Sequence, residues 1–578
     1  MRKLLIALFL ALPAFSQQQQ PTFFSETIEV RVINVDVIVT KDGKPATGLT
    51  KDDFQILEDG KPQAITNFLE VREEEAPRVQ QPGAPAAAPV APTDPRARNI
   101  VVFLDMTTMA PLARDRVFEP MSKFIQHTTR AGDHVMIVSW NPGLKVDLPF
   151  TNDVAAATSA LKRLIGTVTA TAAKQDLLMA EHELSAMPGD YATQTKGAIG
   201  GAAATPTKPP MSEGRRVAEA YGDKITFEQS QRVEAMKSVM ASLRGVSGHN
   251  ALVILTDQLS RNPALPIFTY LEGMKDRFDG GETFVAANAA QRFEQGSMVK
   301  EISDAANSTG VTLYPISASG LGIDMGGVDA SHLGNEYYDT SRPMARSDSG
   351  LMAMTQIAAA TGGKALTGSN NFELAFNTLT QDMTSYYSLG YHPAEGDKKD
   401  AVRSISVKLR KKGYEVRSRE SFVEKSLTSE MQDAVSANLF YPVTRNDLNI
   451  SIAKGANPPS HTEQGLIVPV VVKIPTVGLT LIPDGSDVVG QFTSFTAFTH
   501  RDGKVSEVKR TQHQLRFPAD SVKRRKEITV KYDLIVDEST DNVSVGVMDD
   551  ASHAMGFAAL SGITNGITGA VARDAGHK

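Results

Sequence analysis

Asn99-Ile-Val-Val-Phe-Leu-Asp105-Met-Thr107-Thr-Met109 and Asn250-Ala-Leu-Val-Ile-Leu-Thr256-Asp257 are the two stretches that decide the fold. Each is a short, continuous apolar run that stops at an aspartate. A strand covered on both faces has that composition, and such strands belong to parallel α/β sheets. Ligands of those sheets lie beyond the carboxyl ends of the strands, which is where Asp105 and Asp257 fall. Two carboxylates with a hydroxyl at Thr107 outline a site for a hard divalent cation, because Mg2+ takes carboxylate, hydroxyl and water oxygens.

Outward from these strands the pattern alternates strand and helix from Asn99 onward. Strands are expected at 99–105, 133–140, 145–150, 250–256, 311–317 and 386–391. Helices are expected at 114–129, 153–164, 229–243, 298–308, 349–361 and 372–384; the first carries Val117, Met121, Phe124 and Ile125 at helical spacing. Residues 188–225 contain a Gly-, Ala-, Thr- and Pro-rich segment and read as a mobile insertion within this domain.

Before the α/β region, residues 26–75 alternate in the manner of strands. Val35, Val37 and Val39 mark one face, and Asp42-Gly43 and Asp59-Gly60 are tight turns, since Asp-Gly tolerates positive φ. This reads as an N-terminal β-sandwich-like module. Residues 76–96 are rich in Pro and Ala and form a linker. After 97–425 comes a C-terminal β-sandwich-like domain at 430–560, with Pro469 and Pro475 expected on edge strands, then a flexible tail at 561–578. Residues 403–407 and 414–419 read as a hairpin turning at Lys411-Lys-Gly413.

The first residues address the compartment. Arg2 and Lys3 precede the apolar run Leu4–Leu12, and Ala14-Phe-Ser16 has the spacing of a cleavage site, so 1–16 reads as a signal peptide and the protein as exported, periplasmic or secreted. No later stretch approaches the roughly 20 apolar residues of a spanning helix, so no integral membrane segment is expected. The 578-residue chain has no cysteine, which excludes disulfides and thiolate metal sites. Its net charge of −6 gives no footprint for nucleic acid, and the run Lys523-Arg-Arg-Lys526 reads as a solvated turn.

The order of an N-terminal β module, a strand ending Leu104-Asp105 with hydroxyls after it, a strand ending Leu255-Thr256-Asp257, and the closing pattern Tyr386-Tyr-Ser-Leu-Gly-Tyr391 with Arg403–Phe422 resembles the von Willebrand factor A related proteins of the acidobacterial type. The resemblance spans about residues 26–425. It implies a doubly wound, Rossmann-like α/β sheet, here flanked by the two β-sandwich-like domains. It also implies a metal-ion-dependent adhesion site built from Asp-x-Ser-x-Ser, a loop Thr and a second Asp. Asp105 and Thr107 match the first two positions and Asp257 the last. The loop ligand is open among Thr167, Thr169 and Thr171, which all follow the helix ending near Leu164, and Thr171 is taken for that place. Met109 departs from the pattern: a thioether is a poor Mg2+ ligand. Thr108 or a water is the available substitute. The cation expected from the resemblance is Mg2+, or Mn2+ or Ca2+ in its place.

Three functions remain open on these residues. The first is a non-enzymatic adhesion or assembly protein that binds an unidentified protein ligand through its strand-end face. The second is a scaffold with a degenerate, metal-free site. The third is a secreted hydrolase using Asp105 as nucleophile. His-Glu-x-x-His, Gly-x-x-x-x-Gly-Lys-Ser/Thr and Gly-x-Ser-x-Gly are all absent, and the eleven histidines show no ligand spacing.

Overall fold

The computed structural model describes residues 32–72, 98–109, 111–129, 132–165, 172–187, 208–243, 248–257, 259–318, 342–393, 400–439, 446–463, 465–500, 505–522 and 524–564. The expected signal peptide, the linker core and the end of the tail lie outside them.

Five strands make the central sheet: β1 (Arg98–Asp105), β2 (His134–Trp140), β3 (Leu144–Thr151), β4 (His249–Leu255) and β5 (Val311–Ile316). Their spatial order is β5-β4-β1-β2-β3, parallel except for the edge strand β3. β1 and β4 are buried along their whole length, the reason their sequences are continuous apolar runs.

Helices cover both faces. On one, α1 (Pro111–Thr128) and α2 (Val154–Ile165) pack with a later helix, Phe372–Thr384, against Ile100, Val102 and Leu104. On the other, the second half of a long helix packs with Met298–Thr309 and Arg342–Ala360 against Val101, Phe103, Leu252 and Ile254.

That long helix departs from the expected 229–243. It runs Met211–Ser242, 32 residues, so the segment read as insertion contributes its first half. With α3 (Ala172–Ala186) before it, the long helix is α4; α5 (Leu265–Gly273) and α6 (Ala286–Ala290) follow β4. Val233, Met236, Val239 and Met240 of α4 pack on the sheet. Met211, Val217, Tyr221 and Ile225 pack instead with Leu184, Ile267, Phe268, Leu271 and Phe293 in a separate helical core. α4 leads into β4 and therefore runs against it. Its first 21 residues, about 30 Å of helix at 1.5 Å per residue, extend from the level of Arg232 past the carboxyl ends of the strands.

The closing pattern belongs elsewhere than expected. Tyr386–Tyr391 is not a sixth strand of the central sheet; it lies between Ile33–Lys41 and Ile65–Val71, antiparallel to both. The expected hairpin is also split. Val402–Leu409 pairs with Phe54–Glu58 and Ser421–Val423, whereas Glu415–Ser418 pairs with Ile33–Lys41. The N-terminal module is thus two sheets built from both ends of the α/β region, around Val35, Val37, Phe54, Ile56, Tyr387, Leu389, Tyr391 and Phe422. Both Asp-Gly turns have positive φ at both residues: 50° and 74° at Asp42-Gly43, 47° and 78° at Asp59-Gly60.

This module holds the amino ends of the central strands. Asp36 pairs with His249 Nδ1 at 2.7 Å, Arg419 donates to the carbonyls of Asn34 and Asn307, and Arg417 reaches Asp382 at 2.5 Å. Attachment there leaves the opposite, carboxyl-end edge to the α4 insertion.

Beyond it, α7 (Leu427–Ala437), read from sequence as the start of β structure, packs against α4 and against the last domain's strands. That domain pairs two sheets, with Val468, Val470, Val472 and Ile474 of Gly465–Pro475 facing Phe492, Val543, Val545 and Val547 in its core. Gly465–Pro475 is central, flanked by Glu527–Val536 on one side and by Ser451–Lys454 and Ser460–Thr462 on the other. Pro469 is tolerated because it falls in the gap between those two short strands, where no N–H is required.

Candidate functional site

Where β1 ends, the chain turns at Asp105 and brings its side-chain oxygens back over the following backbone. Asp105 Oδ1 accepts from the Thr107 N–H at 3.2 Å and the Thr107 hydroxyl at 2.7 Å. Oδ2 accepts from the hydroxyls of Thr108 at 2.8 Å and Thr256 at 2.7 Å. The Thr108 and Thr256 oxygens are 3.2 Å apart, and Thr108 Oγ1 also accepts the Asp257 N–H at 3.2 Å. The two strand ends are therefore stitched together through Asp105, Thr108 and Thr256. Asp257, half-buried, points its Oδ1 toward β5, where the Ser317 hydroxyl donates to it at 3.2 Å.

Of the expected residues, the structure brings together Asp105, Thr107 and Asp257; Thr167, Thr169 and Thr171 lie outside the described residues. Met109 is buried in the apolar cluster beneath α1, alongside Met106, Ala113 and Val117, and presents no oxygen to the site.

Arg232 is the residue that sequence reading missed. Its Nε lies 3.3 Å from Asp105 Oδ2, with its side chain 1% exposed against 0% for the aspartate. The contact is an ion pair rather than an aligned hydrogen bond. One turn earlier, Gln229 grips the loop after β4: its amide donates to the Ser260 carbonyl at 2.6 Å and its carbonyl accepts from the Ser260 N–H at 3.1 Å. A signal was present, because Ile225, Gln229, Arg232, Met236 and Val239 share one helical stripe, and two polar residues interrupt it. Around Arg232 the charge continues outward: Glu228 lies near it, and Lys224 joins Asp176 of α3 at 2.6 Å. Burial raises the Glu228 carboxyl above its ordinary value; Lys224 and Arg232 oppose the rise, Asp176 and Asp105 add to it.

The described donors do not fit a resident divalent cation. Asp105 is wholly enclosed, its oxygens take four hydrogen bonds, and a guanidinium already supplies its counter-charge. A divalent ion on the same carboxylate would crowd a second cation into a buried, low-dielectric pocket. Met109 removes one ligand oxygen, and among the described residues no cluster of three His, Asp or Glu side chains is arranged to hold an ion.

No protein-family model and no curated protein matches the chain. Solved structures similar to it include the vWF domain of the type V pili tip protein Mfa5 from Porphyromonas gingivalis, at 12% identity over 50% of this chain and 95% of that one, TM-score 0.23. Another is the manganese-loaded TRAP protein of Plasmodium vivax, at 10% identity over 58% and 96%, TM-score 0.21. A third is an aerotolerance-related membrane protein of Bacteroides fragilis, at 12% identity over 49% and 98%, TM-score 0.23.

Proposed function

We propose that this chain is a non-enzymatic interaction or assembly protein, built on a von Willebrand factor A-type domain, that meets a protein partner with the strand-end side of that domain. The enclosure of Asp105 carries this reading. A nucleophile or general base must come within hydrogen-bond reach of its substrate. Asp105 has no exposed surface, and its oxygens are occupied by Thr107, Thr108, Thr256 and Arg232. The hydrolase reading therefore loses its nucleophile, while the strand order and the paired strand-ending aspartates support the resemblance. Export is part of the proposal and rests on the basic and apolar start of the chain. No helix among the described residues is long and apolar enough to cross a membrane.

The surface offered on this side belongs to the insertion helices, not to an open carboxylate. Met179 of α3 and Phe227 of α4 are exposed large apolar side chains there. A partner captured from the secreted and surface proteins of the producing cells should be lost with Met179→Ser plus Phe227→Ser. It should persist with Val477→Ser, an exposed apolar change in the C-terminal domain. The reverse pattern, or Asp105-dependent turnover in a phosphatase and esterase screen, counts against the reading.

A further inference from the structure

We infer that Arg232 is the built-in cation of the strand-end cluster, so that this edge is assembled by a guanidinium where the resembling family uses a divalent metal. The location rests on the reading above, but the inference concerns the chain's own charges and needs no partner.

Three observations combine. First, Asp105 and Arg232 are both fully buried and 3.3 Å apart, and a buried carboxylate requires a counter-charge. Second, the hydroxyls of Thr107, Thr108 and Thr256 point their hydrogens at Asp105, which completes the carboxylate's shell with donors. Third, Met109 lies in the apolar core, so the position that would close a metal shell serves packing.

The placement of Arg232 gives its charge a structural consequence. It sits on α4 where the helix passes from packing on the sheet to packing in the helical insertion. Together with Gln229, which holds the loop after β4, it fastens the insertion to both strand ends. Arg232 is thus a positioning residue for the strand-end side, acting through Asp105. A metal-dependent site opens and closes with its ion; this one is fixed by a covalently tethered charge.

The test is made on the full chain by thermal melting in EDTA, in millimolar Mg2+ and in millimolar Mn2+. The wild type is expected to melt at the same temperature in all three. Arg232→Met removes the counter-charge beside the buried Asp105, and should lower the melting temperature by several degrees. Asp105→Asn added to Arg232→Met should recover part of that loss, because the amide needs no counter-cation: its oxygen keeps the Thr107 bonds, and the Thr108 and Thr256 hydroxyls turn to accept from its NH2. Such non-additivity is a coupling signature that loss of packing alone does not give. Arg232→Lys keeps the charge and should fall between wild type and Arg232→Met. A wild-type melting temperature that rises with Mn2+, the rise vanishing in Asp105→Asn, would overturn the inference, as would purely additive effects of the two substitutions. The wild-type comparison decides the matter even where Arg232→Met does not fold. Loss of partner binding by the Met179 and Phe227 variants moves none of these readings, so the two proposals fail separately.

Discussion

Glu228 shows at the scale of one residue how the buried pair reaches the surface. Burial raises its carboxyl above the ordinary 4.5, so ionisation is penalised in the folded state. The folded protein therefore holds this proton more tightly than the unfolded chain. Its contribution to stability is present at low pH and is lost as pH rises from 4.5 through the raised folded value. Glu228→Gln removes the penalty. We expect the variant to melt above wild type near pH 7 and level with it at about pH 3, where Glu228 is neutral in both the folded and the unfolded chain; melts across that range check it. A variant less stable at neutral pH would mean that Lys224 and Arg232 compensate the charge fully. Asp105 was legible as a strand-ending carboxylate from the apolar run before it. Its counter-ion was not, because Arg232 is 127 positions away and reaches it only through the packing of α4.

Two of the elements misassigned from sequence have physical reasons that the structure makes plain. The first half of α4, Met211-Ser-Glu-Gly-Arg-Arg-Val-Ala-Glu-Ala-Tyr-Gly222, carries glycines and charges that weaken its helical pattern. The glycines are there for close packing. A Cβ on Gly222 would stand 2.6 Å from the ring of Phe293, and one on Gly214 would stand 2.7 Å from Leu271. Gly222→Ala gains about 1 kcal/mol of helix propensity, against roughly 1 to 3 kcal/mol for overpacking a filled core. We expect net destabilisation, with faster hydrogen exchange in α3, the first half of α4 and α5 than in β1 or β4. Uniform stabilisation would show that the Phe293 ring moves aside freely. The strand Tyr386–Tyr391 has the composition of any buried strand, and composition alone does not state its neighbours. Its neighbours, Ile33–Lys41 and Ile65–Val71, are contributed from the far end of the chain.

At the scale of the whole molecule, the N-terminal two-sheet module is discontinuous, and the α/β region is inserted between its two contributions. A fragment of residues 97–425 keeps Tyr386–Tyr391 and Val402–Leu409 but deprives each of its long partners. Unpaired strand edges are templates for aggregation. We expect this fragment to elute as aggregate in size-exclusion chromatography and residues 32–425 to elute as a monodisperse species. Equal behaviour would show that the two-sheet module is dispensable. The same arrangement gives the molecule a polarity: the two-sheet module grips the amino ends of the central strands through His249 and Asp36, and the insertion grips the carboxyl ends through Arg232. Burial alone would raise the Asp36 carboxyl, but the hydrogen bond and charge of His249 hold it below its ordinary 3.8.

By itself the sequence determined the central strands, most helices flanking them, the Asp-Gly turns and the placement of Asp105 and Asp257 at strand ends. These are local: a buried strand must be apolar along its length, a tight turn needs residues that accept positive φ, and neither requires knowledge of a distant partner. Tertiary structure decided which sheet each β segment joined, how far α4 ran, and what charge met Asp105. Strand pairing is set by hydrogen bonds between residues as remote as Val37 and Tyr387, and a buried carboxylate is governed by the nearest cation in space. The two aspartates marked the edge of the domain in the sequence; the fold supplied the arginine that closes it.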